Sequence, residues 1–232
     1  MAVYRDDVIK IAAGEVGYKE KATNANLDSK TANAGSGNWT KYARDLAAAG
    51  YYNGNKNGYA WCDVFVDWCF YMASGKNAAA AQKAECQTGD LGAGCYYSAN
   101  YYKAAGRFFQ QPKAGDQVFF NDFEHTGLVE KVEGSTVYTI EGNAGNEVKR
   151  RSYSVSSSSI DGYGRPVYDT KPATPEYIGE GHDYSAASRG KAISGGIIEG
   201  VGKAENGKVD YAWDKAVTRE ELVTILDRLG LI

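Results

Sequence analysis

The sequence predicts an α+β fold in which N-terminal helices pack on an antiparallel sheet, followed by a small, mainly helical segment. Apolar residues recur at helical spacing before residue 106, and after Pro112 the period changes from 3.6 to 2. Short strands joined by tight turns are typical of an antiparallel sheet. Helices that come first and strands that follow indicate an α+β layer structure.

Four segments at helical spacing predict the helices. The first, Met1–Gly17, carries charged residues beside an apolar face, and the second, Trp39–Ala49, is followed by a glycine in the expected C′ position. The third runs from Cys62 to Ala73 and has an apolar face that includes Cys62, so we expect it to pack on the sheet. A fourth helix is expected at Ser98–Ala105.

Strands are predicted where apolar and polar residues alternate between glycine-containing turns. The predicted strands are Gln117–Phe120, a strand that begins at His125, Thr136–Glu141 and Glu147–Val155. Residues 171–175 contain two prolines and predict a stiff linker. We therefore divide the chain into a first domain of residues 1–169, a linker of residues 170–178 and a small helical domain of residues 179–232.

Composition and charge exclude two classes of partner. The chain has 26 Lys and Arg against 29 Asp and Glu, so it has no electrostatic footprint for nucleic acid. The single basic run, Lys149–Arg151, is interpreted as a solvated face. No segment has the roughly 20 apolar residues that insertion into a membrane requires. Eighteen tyrosines among 232 residues offer flat amphipathic surface suited to sugars and peptides.

The N-terminus is an amphipathic, charged helix and not a signal peptide with an uncharged core. We therefore expect the chain to be made and kept in the cytoplasm until something else releases it.

Four cysteines are too few for a disulfide scaffold. Cys69 is expected to be a small core residue, because it lies on the apolar face of its helix. Cys86 and Cys95 flank a glycine-rich loop and could form a disulfide in an oxidising setting or stay reduced in cytoplasm. The sequence leaves both possibilities open.

Cys62 is the candidate nucleophile. It follows a turn-rich loop and begins an apolar helix, and the positive end of a helix dipole favours the thiolate over the thiol. Backbone N–H groups at the same helix start could stabilise an oxyanion. The loop before it, Asn53–Gly58, contains no carboxylate, so we interpret it as a plain loop and expect neither calcium nor another cofactor.

His125 is the candidate base and proton carrier. It is the only histidine of the first domain, since the other, His182, lies beyond the linker. Glu141, at the end of a predicted strand, or Asn143, two residues later, could orient its imidazole, and we favour Glu141. The order Cys, His, Glu or Asn is that of a papain-like acyl-transfer enzyme.

Five short motifs follow one another along the first domain. They are Trp61-Cys62-Asp63-Val64-Phe65-Val66, Gly115-Asp116-Gln117-Val118-Phe119-Phe120, His125-Thr126-Gly127-Leu128-Val129, Thr139-Ile140-Glu141-Gly142-Asn143 and Gly162-Tyr163-Gly164-Arg165-Pro166. In this order they resemble the motifs of a CHAP domain over about residues 4–169. The resemblance implies cleavage of peptidoglycan, either as an N-acetylmuramoyl-L-alanine amidase or as a peptide endopeptidase, and many members of the family are phage endolysins.

The C-terminal segment contains three short motifs, Lys191-Ala192-Ile193, Gly196-Ile197-Ile198-Glu199-Gly200 and Val217-Thr218-Arg219-Glu220-Glu221-Leu222. Together they resemble a single S-layer homology repeat. Such repeats commonly bind cell-wall polymers, which implies that Trp213 and Arg219 contact a secondary wall polymer. They usually occur in threes, so a single repeat implies either a homo-oligomer or a supporting role.

Together these observations predict an endolysin-like peptidoglycan hydrolase that is released from the host cytoplasm to act on the wall. Tyr59, Trp61 and Tyr96 are expected to line the substrate groove, although core packing would also account for them. Two alternatives stay open. The chain could be a wall-binding protein without catalytic activity, or an intracellular hydrolase of small peptides.

Overall fold

The computed structural model describes residues 2–88 and 93–170, and the backbone of two short strands further along the chain. The chain divides into two compact units, Met1–Thr170 and Lys171–Ile232. In the second unit the structure describes only an antiparallel pair of two-residue strands, Gly202–Lys203 and Val209–Asp210. The predicted helices of residues 179–232, with Trp213 and Arg219, lie outside the described residues.

The first unit contains helices and an antiparallel sheet, which confirms the predicted α+β class over the described residues. The third predicted helix, Cys62–Ala73, has the predicted bounds. The fourth predicted helix begins at Cys95, three residues earlier than expected, and a short helix at Ala78–Ala84 was not predicted. The helices are α1 (Arg5–Glu15), α2 (Lys41–Ala48), α3 (Cys62–Ala73), α4 (Ala78–Ala84) and α5 (Cys95–Ala104). No helix among the described residues is long and apolar enough to cross a membrane.

Six strands form one sheet in the order β1-β6-β2-β3-β4-β5, and every neighbouring pair is antiparallel. The four strands between Gln117 and Ser154 were predicted from the sequence, whereas the strands Phe108–Phe109 and Ile160–Gly164 were not. The strands are β1 (Phe108–Phe109), β2 (Gln117–Phe120), β3 (His125–Glu133), β4 (Thr136–Glu141), β5 (Lys149–Ser154) and β6 (Ile160–Gly164).

Helix α3 lies at the centre of the first unit. It packs against α1, α2, α4 and strand β3, and every residue from Cys62 to Tyr71 is buried. This stretch is apolar or aromatic except for Asp63 and Asp67, and a helix that is mainly apolar on all sides is stable only when it is covered on all sides. This burial holds the first turn of α3, and Cys62 with it, in a fixed position against the sheet.

Alternation along β2 separates two apolar clusters. Phe119 packs with Cys62 at the start of α3, whereas its neighbours Val118 and Phe120 pack in another cluster with Val129 of β3. Successive side chains of a strand point to opposite faces, which accounts for the division. The start of α3 therefore rests on an aromatic side chain of the central strand.

Candidate active site

Cys62 is the first residue of α3, and its side chain is 6% exposed. The preceding residue, Trp61, has non-helical backbone angles, so the helix begins at the thiol. N–H groups of a first helical turn have no acceptor within the helix and carry the positive end of the helix dipole. The backbone N–H of Asp63 donates a hydrogen bond to the Cys62 sulfur and favours its charged form.

Asp63 ties the start of α3 to two other elements. Its Oδ2 accepts hydrogen bonds from the backbone N–H of Gly94, at 2.7 Å, and from Ser98 Oγ, at 3.0 Å. Its Oδ1 accepts from Gln117 Nε2 of β2 at 3.0 Å. Gly94 is the N-cap of α5, so this carboxylate holds the starts of α3 and α5 together. The first residue of α5, Cys95, consequently lies beside Cys62.

The two sulfur atoms, Cys62 Sγ and Cys95 Sγ, are 3.5 Å apart. The hydrogen bond from the Cys95 thiol is the largest influence on Cys62 and, with His125, holds the pKa of Cys62 well below its usual range despite burial. The same contact and burial raise the pKa of Cys95, so Cys95 is the protonated partner. All four cysteines are free of disulfides. The sequence left a Cys86–Cys95 disulfide open, whereas the sulfur at 3.5 Å from Cys95 Sγ is that of Cys62.

His125 begins β3 and is hydrogen-bonded to Glu141, the last residue of β4. The distance between His125 Nε2 and Glu141 Oε2 is 2.9 Å. The Glu141 side chain is 1% exposed, and its other oxygen accepts from Thr139 Oγ1 at 2.6 Å and from Tyr153 at 2.9 Å. Burial alone would raise the pKa of Glu141, but these donors hold it below its ordinary value. Glu141 is therefore a carboxylate.

The imidazole of His125 lies between this carboxylate and the Cys62 sulfur. Burial opposes its charge, but the hydrogen bonds with Cys62 and Glu141 outweigh burial and raise the pKa of His125 to about 9. Because Nε2 faces Glu141, the nitrogen available to Cys62 is Nδ1. The favoured state near neutral pH is thus a thiolate and an imidazolium, the resting state of an activated cysteine nucleophile.

The turn between β2 and β3 has a strained backbone. Asn121, Asp122 and Phe123 have φ angles of 55°, 57° and 64°, in the left-handed region that side chains disfavour. The carboxylate of Asp161, at the start of β6, accepts hydrogen bonds from the backbone N–H groups of Asp122 and Phe123. This clamp fixes the entry of the chain into β3, where His125 is the first residue.

Asn143 lines the candidate site, whereas Trp61 is buried in the core. Asn143 lines the same cavity as His125 and Glu141, but the hydrogen bond from His125 Nε2 goes to Glu141. Trp61 is fully buried, and its Nε1 donates to Glu20 Oε2 at 2.7 Å. The expectation that Trp61 lines the substrate groove is therefore wrong, because its indole belongs to the core beneath the helix.

Tyr59 and Tyr96 are among the most exposed large hydrophobic residues of the described part of the chain, at 68% and 60%. The ring of Tyr96 packs edge-on against Phe123, whose side chain belongs to the cluster around Cys62. That places an exposed aromatic ring at the margin of the thiol site. A role for either tyrosine in substrate binding stays a prediction.

A cavity of about 370 Å³ opens beside the imidazole. Arg151 adds a positive charge to that of the imidazolium, and Arg151 Nε lies 3.7 Å from Glu141 Oε2. The basic run was interpreted as a solvated face, and the side chains of Arg150 and Arg151 are both about half exposed. Arg150 pairs with Glu130 across the intervening strand β4, and Arg151 lies at the cavity. The lining residues are Phe120, Asn121, His125, Glu141, Asn143, Ala144, Gly145, Arg151, Tyr153 and Ser159.

Within residues 2–88 and 93–170, no group of three or more His, Cys, Asp or Glu side chains is arranged to hold a metal ion. The two buried acidic side chains of the site, Asp63 and Glu141, accept hydrogen bonds from the protein donors that surround them. Burial raises the pKa of Asp63 well above its ordinary value, in contrast to that of Glu141.

The candidate site lies within a segment of the chain that matches one protein family. Residues 54–143 match the CHAP domain family. This segment is less than half of the chain, and it contains Cys62, His125, Glu141 and Asn143. No curated protein sequence matches the chain significantly.

Three solved structures are similar at low sequence identity. The crystal structure of Ly7917 is 16% identical over 70% of this chain and 62% of its own, with a TM-score of 0.41. The peptidoglycan hydrolase RipB of Mycobacterium tuberculosis is 14% identical over 72% and 65%, with a TM-score of 0.37. The P60 domain of an antigen of M. avium subspecies paratuberculosis is 13% identical over 72% and 96%, with a TM-score of 0.37. The chain thus spans less than two thirds of the first two proteins.

Proposed function

We propose that this chain is a cysteine-dependent peptidoglycan hydrolase that cleaves an amide bond through a thioester. The observation that carries the proposal is the arrangement of Cys62 at the start of α3, His125 beside it and the buried Glu141 carboxylate behind the imidazole. The CHAP match over residues 54–143 supports the bacterial cell wall as the substrate.

In the first step, the Cys62 thiolate attacks the carbonyl carbon of the amide. Backbone N–H groups at the start of α3 face the developing oxyanion, a type of contact that contributes about 3 kcal/mol per donor in other acyl transferases. His125 then transfers its Nδ1 proton to the leaving amine, the C–N bond breaks, and the acyl group remains on sulfur as a thioester.

In the second step, neutral His125 takes a proton from water, and the resulting hydroxide attacks the thioester carbonyl. The C–S bond breaks, the carboxylic acid product leaves, and the thiolate and imidazolium are restored. Glu141 keeps the imidazole oriented in both steps and stabilises its charged form, without itself taking the proton.

The surroundings of the imidazole suit a peptide that carries carboxylates. Arg151 offers a cation in the cavity beside His125, and the exposed ring of Tyr96 offers a flat surface at the margin of the site. Both an N-acetylmuramoyl-L-alanine amidase and a peptide endopeptidase would use this arrangement. We propose further that residues 179–232, through Trp213 and Arg219, bind a wall polymer, and that the protein is an endolysin released from a host cytoplasm.

Purified Gram-positive cell walls test the proposal. The full chain is incubated with walls beside Cys62→Ala, and Cys86→Ala serves as the matched cysteine control. Mass spectrometry identifies the released ends. New N-terminal L-alanine indicates an amidase, and new ends within the stem peptide or cross-bridge indicate an endopeptidase. We expect release by the wild type and Cys86→Ala, and none by Cys62→Ala.

The same experiment separates the alternatives. Wall binding without cysteine-dependent release from several wall types would overturn the hydrolase proposal and favour a binding protein. Cleavage of free peptides without release from walls would favour an intracellular peptide hydrolase. The charged Cys62–His125 pair argues against the inactive alternative, because an isolated buried thiol has a raised pKa instead.

A further inference from the structure

We propose that Cys62 and Cys95 form a reversible disulfide under peroxide oxidation, which switches the hydrolase off and protects its nucleophile. The proposal rests on the proposed function only where it concerns activity, since the bond itself can be observed directly. It assigns a second role to Cys95, whose thiol also favours the Cys62 thiolate in the reduced protein.

The geometry brings the two sulfurs within one bond-forming step. Cys62 Sγ and Cys95 Sγ are 3.5 Å apart, and a disulfide needs about 2.05 Å, so side-chain rotation has to close only the remaining gap. The two residues start α3 and α5, and Asp63 holds those helix starts together through Gly94 and Ser98. The sulfurs therefore meet in the folded state although 33 residues separate them.

The other cysteines are poorer partners for Cys62. Cys69 is fully buried in the core cluster around α3 and has a raised pKa, because burial disfavours its thiolate. Cys86 packs at the edge of the cluster that contains Cys62 and Cys95, but neither sulfur has it as a hydrogen-bonding partner. Cys95 is thus the thiol in position to react with an oxidised Cys62.

The chemistry balances with a peroxide as oxidant. The Cys62 thiolate attacks one oxygen of hydrogen peroxide, the O–O bond breaks, and the products are a sulfenic acid and, with one proton from His125 or solvent, water. The Cys95 thiol then attacks the sulfenic sulfur, an S–S bond forms, and a second water leaves. Overall two thiols lose two electrons and peroxide is reduced to two waters. A dithiol reductant reverses the bond by exchange.

The charges in the site favour this order of events. Cys62 is the thiolate and therefore the atom that peroxide oxidises first, while Cys95 keeps its proton until it attacks. Once the sulfenic acid forms, the hydrogen bond between the sulfurs places the Cys95 thiol against its target. Closure of the disulfide also prevents further oxidation of Cys62 to sulfinic acid, which is irreversible.

The test uses the full chain, treated with hydrogen peroxide and then with dithiothreitol. Intact mass and peptide mapping report the covalent state, and wall lysis reports activity, normalised to each variant's own reduced form. Cys95→Ser is the test variant, and Cys86→Ser is the matched control. Circular dichroism and thermal unfolding of each variant in the reduced state establish that it is folded.

We expect wild type and Cys86→Ser to lose two hydrogens in mass, to yield a Cys62–Cys95 linked peptide and to regain lysis with dithiothreitol. Cys95→Ser should gain oxygen at Cys62 and recover at least several-fold less activity. A Cys86–Cys95 link, the absence of any linked peptide in folded wild type, or equal recovery of Cys95→Ser would overturn the proposal. A linked peptide in a protein that never lyses walls would instead contradict the proposed function alone.

Discussion

Glu141 contributes to the charge of His125. Its carboxylate is buried, already accepts hydrogen bonds from Thr139 and Tyr153, and faces His125 Nε2 at 2.9 Å. A buried carboxylate at that distance favours the imidazolium over the neutral ring. Burial opposes the charge, but the hydrogen bonds with Cys62 and then with Glu141 raise the pKa of His125 to about 9, so the imidazole is protonated at neutral pH.

The substitution Glu141→Gln tests this role. The amide keeps the shape but not the charge, so the pKa of His125 should fall toward its ordinary value of 6.5 and the imidazolium should be lost at lower pH. In a profile of kcat/KM against pH, we expect the alkaline limb, near pH 9 in wild type, to move to lower pH. The maximum should fall roughly 10²-fold, as is typical when a general acid is impaired.

The matched control for Glu141→Gln is Glu133→Gln, which removes an exposed glutamate of β3 that forms an ion pair with Lys131. It should leave the profile unchanged. An alkaline limb that stays near pH 9 in Glu141→Gln would show that the carboxylate does not set the charge of His125.

Gly127 gives the Glu141 side chain its space. A Cβ atom at Gly127 would lie 2.5 Å from Glu141 Cγ and 3.0 Å from the carbonyl oxygen of Ile140. Gly127→Ala should therefore displace the carboxylate from His125, lower kcat/KM and cost roughly 1–3 kcal/mol of unfolding free energy. Kinetics and urea unfolding measure the two effects.

The control for this substitution is Gly14→Ala in α1, where a new Cβ meets no atom within 4 Å. Alanine there should leave activity intact and stabilise the helix slightly, since glycine is a poor helix former. Equal kinetics for Gly127→Ala and wild type would mean that Glu141 moves without consequence for His125.

For single residues, the sequence predicts a role from the local pattern around the residue, but it does not predict contacts with distant parts of the chain. Cys62 and His125 could be predicted because each begins an element that periodicity reveals. The direction of Trp61 could not, because its partner Glu20 is 41 residues away. Cys95 was missed as a neighbour of Cys62 for the same reason: the contact depends on how two helix starts converge.

Among secondary-structure elements, those with a strong period were predicted with their observed bounds, as α3, β2 and β4 show. The start of α5 was placed three residues late, because its N-cap, Gly94, has no side chain and the capping carboxylate comes from Asp63. Helix α4 is nearly all alanine, so it has no contrast between apolar and polar faces from which to predict it.

The contact between α3 and the end of α4 depends on a shared proton. Asp67 of α3 and Glu85, the C-cap of α4, are both buried and hydrogen-bonded to each other. Among the described residues, no donor reaches Glu85 Oε1, so one carboxyl group has to keep a proton. Burial raises the pKa of Asp67 to about 6 and that of Glu85 well above its ordinary value.

These shifts predict how stability changes with pH. The folded state binds a proton that the unfolded chain releases above about pH 4, so the unfolding free energy should fall as pH rises through the raised pKa values. In Glu85→Gln the amide can donate to Asp67 without a titrating proton. We expect wild type to lose stability between pH 5 and 8 relative to this variant, by roughly 1–3 kcal/mol at pH 8.

Urea unfolding at several pH values measures the difference. Glu133→Gln, at an exposed site, provides the control for the loss of one carboxylate and should follow wild type. Parallel curves for wild type and Glu85→Gln would contradict the shared proton.

For the molecule as a whole, the meander β2–β5 could be predicted because short turns leave antiparallel pairing as the natural arrangement. The position of the last strand of the sheet, β6, could not be predicted in the same way. Strand β6 inserts between β1 and β2, and it contains glycines in place of alternating residues. Its position matters for the site, because Asp161 of β6 clamps the turn that leads into His125.

The two ends of the first unit are hydrogen-bonded to each other. The backbone N–H of Val3 donates to Asp169 Oδ2 at 2.7 Å, and the N–H of Asp169 donates to the Val3 carbonyl at 2.9 Å. The candidate site and the apolar clusters that support it lie between these residues. A unit with its own core and paired ends meets the physical requirements for folding alone.

This closure predicts the behaviour of a chain truncated after Thr170. We expect the fragment to unfold cooperatively at a temperature close to that of the first unit in the full chain, and to cleave soluble muropeptides with the same kcat/KM. Its binding to intact walls should be lost, and Arg219→Ala in the full chain should weaken that binding without changing peptide cleavage. Calorimetry, peptide kinetics and wall sedimentation measure these quantities.

Undiminished wall binding by the fragment would assign that role to the first unit, and a fragment that fails to fold would show that its core is incomplete without residues 171–232.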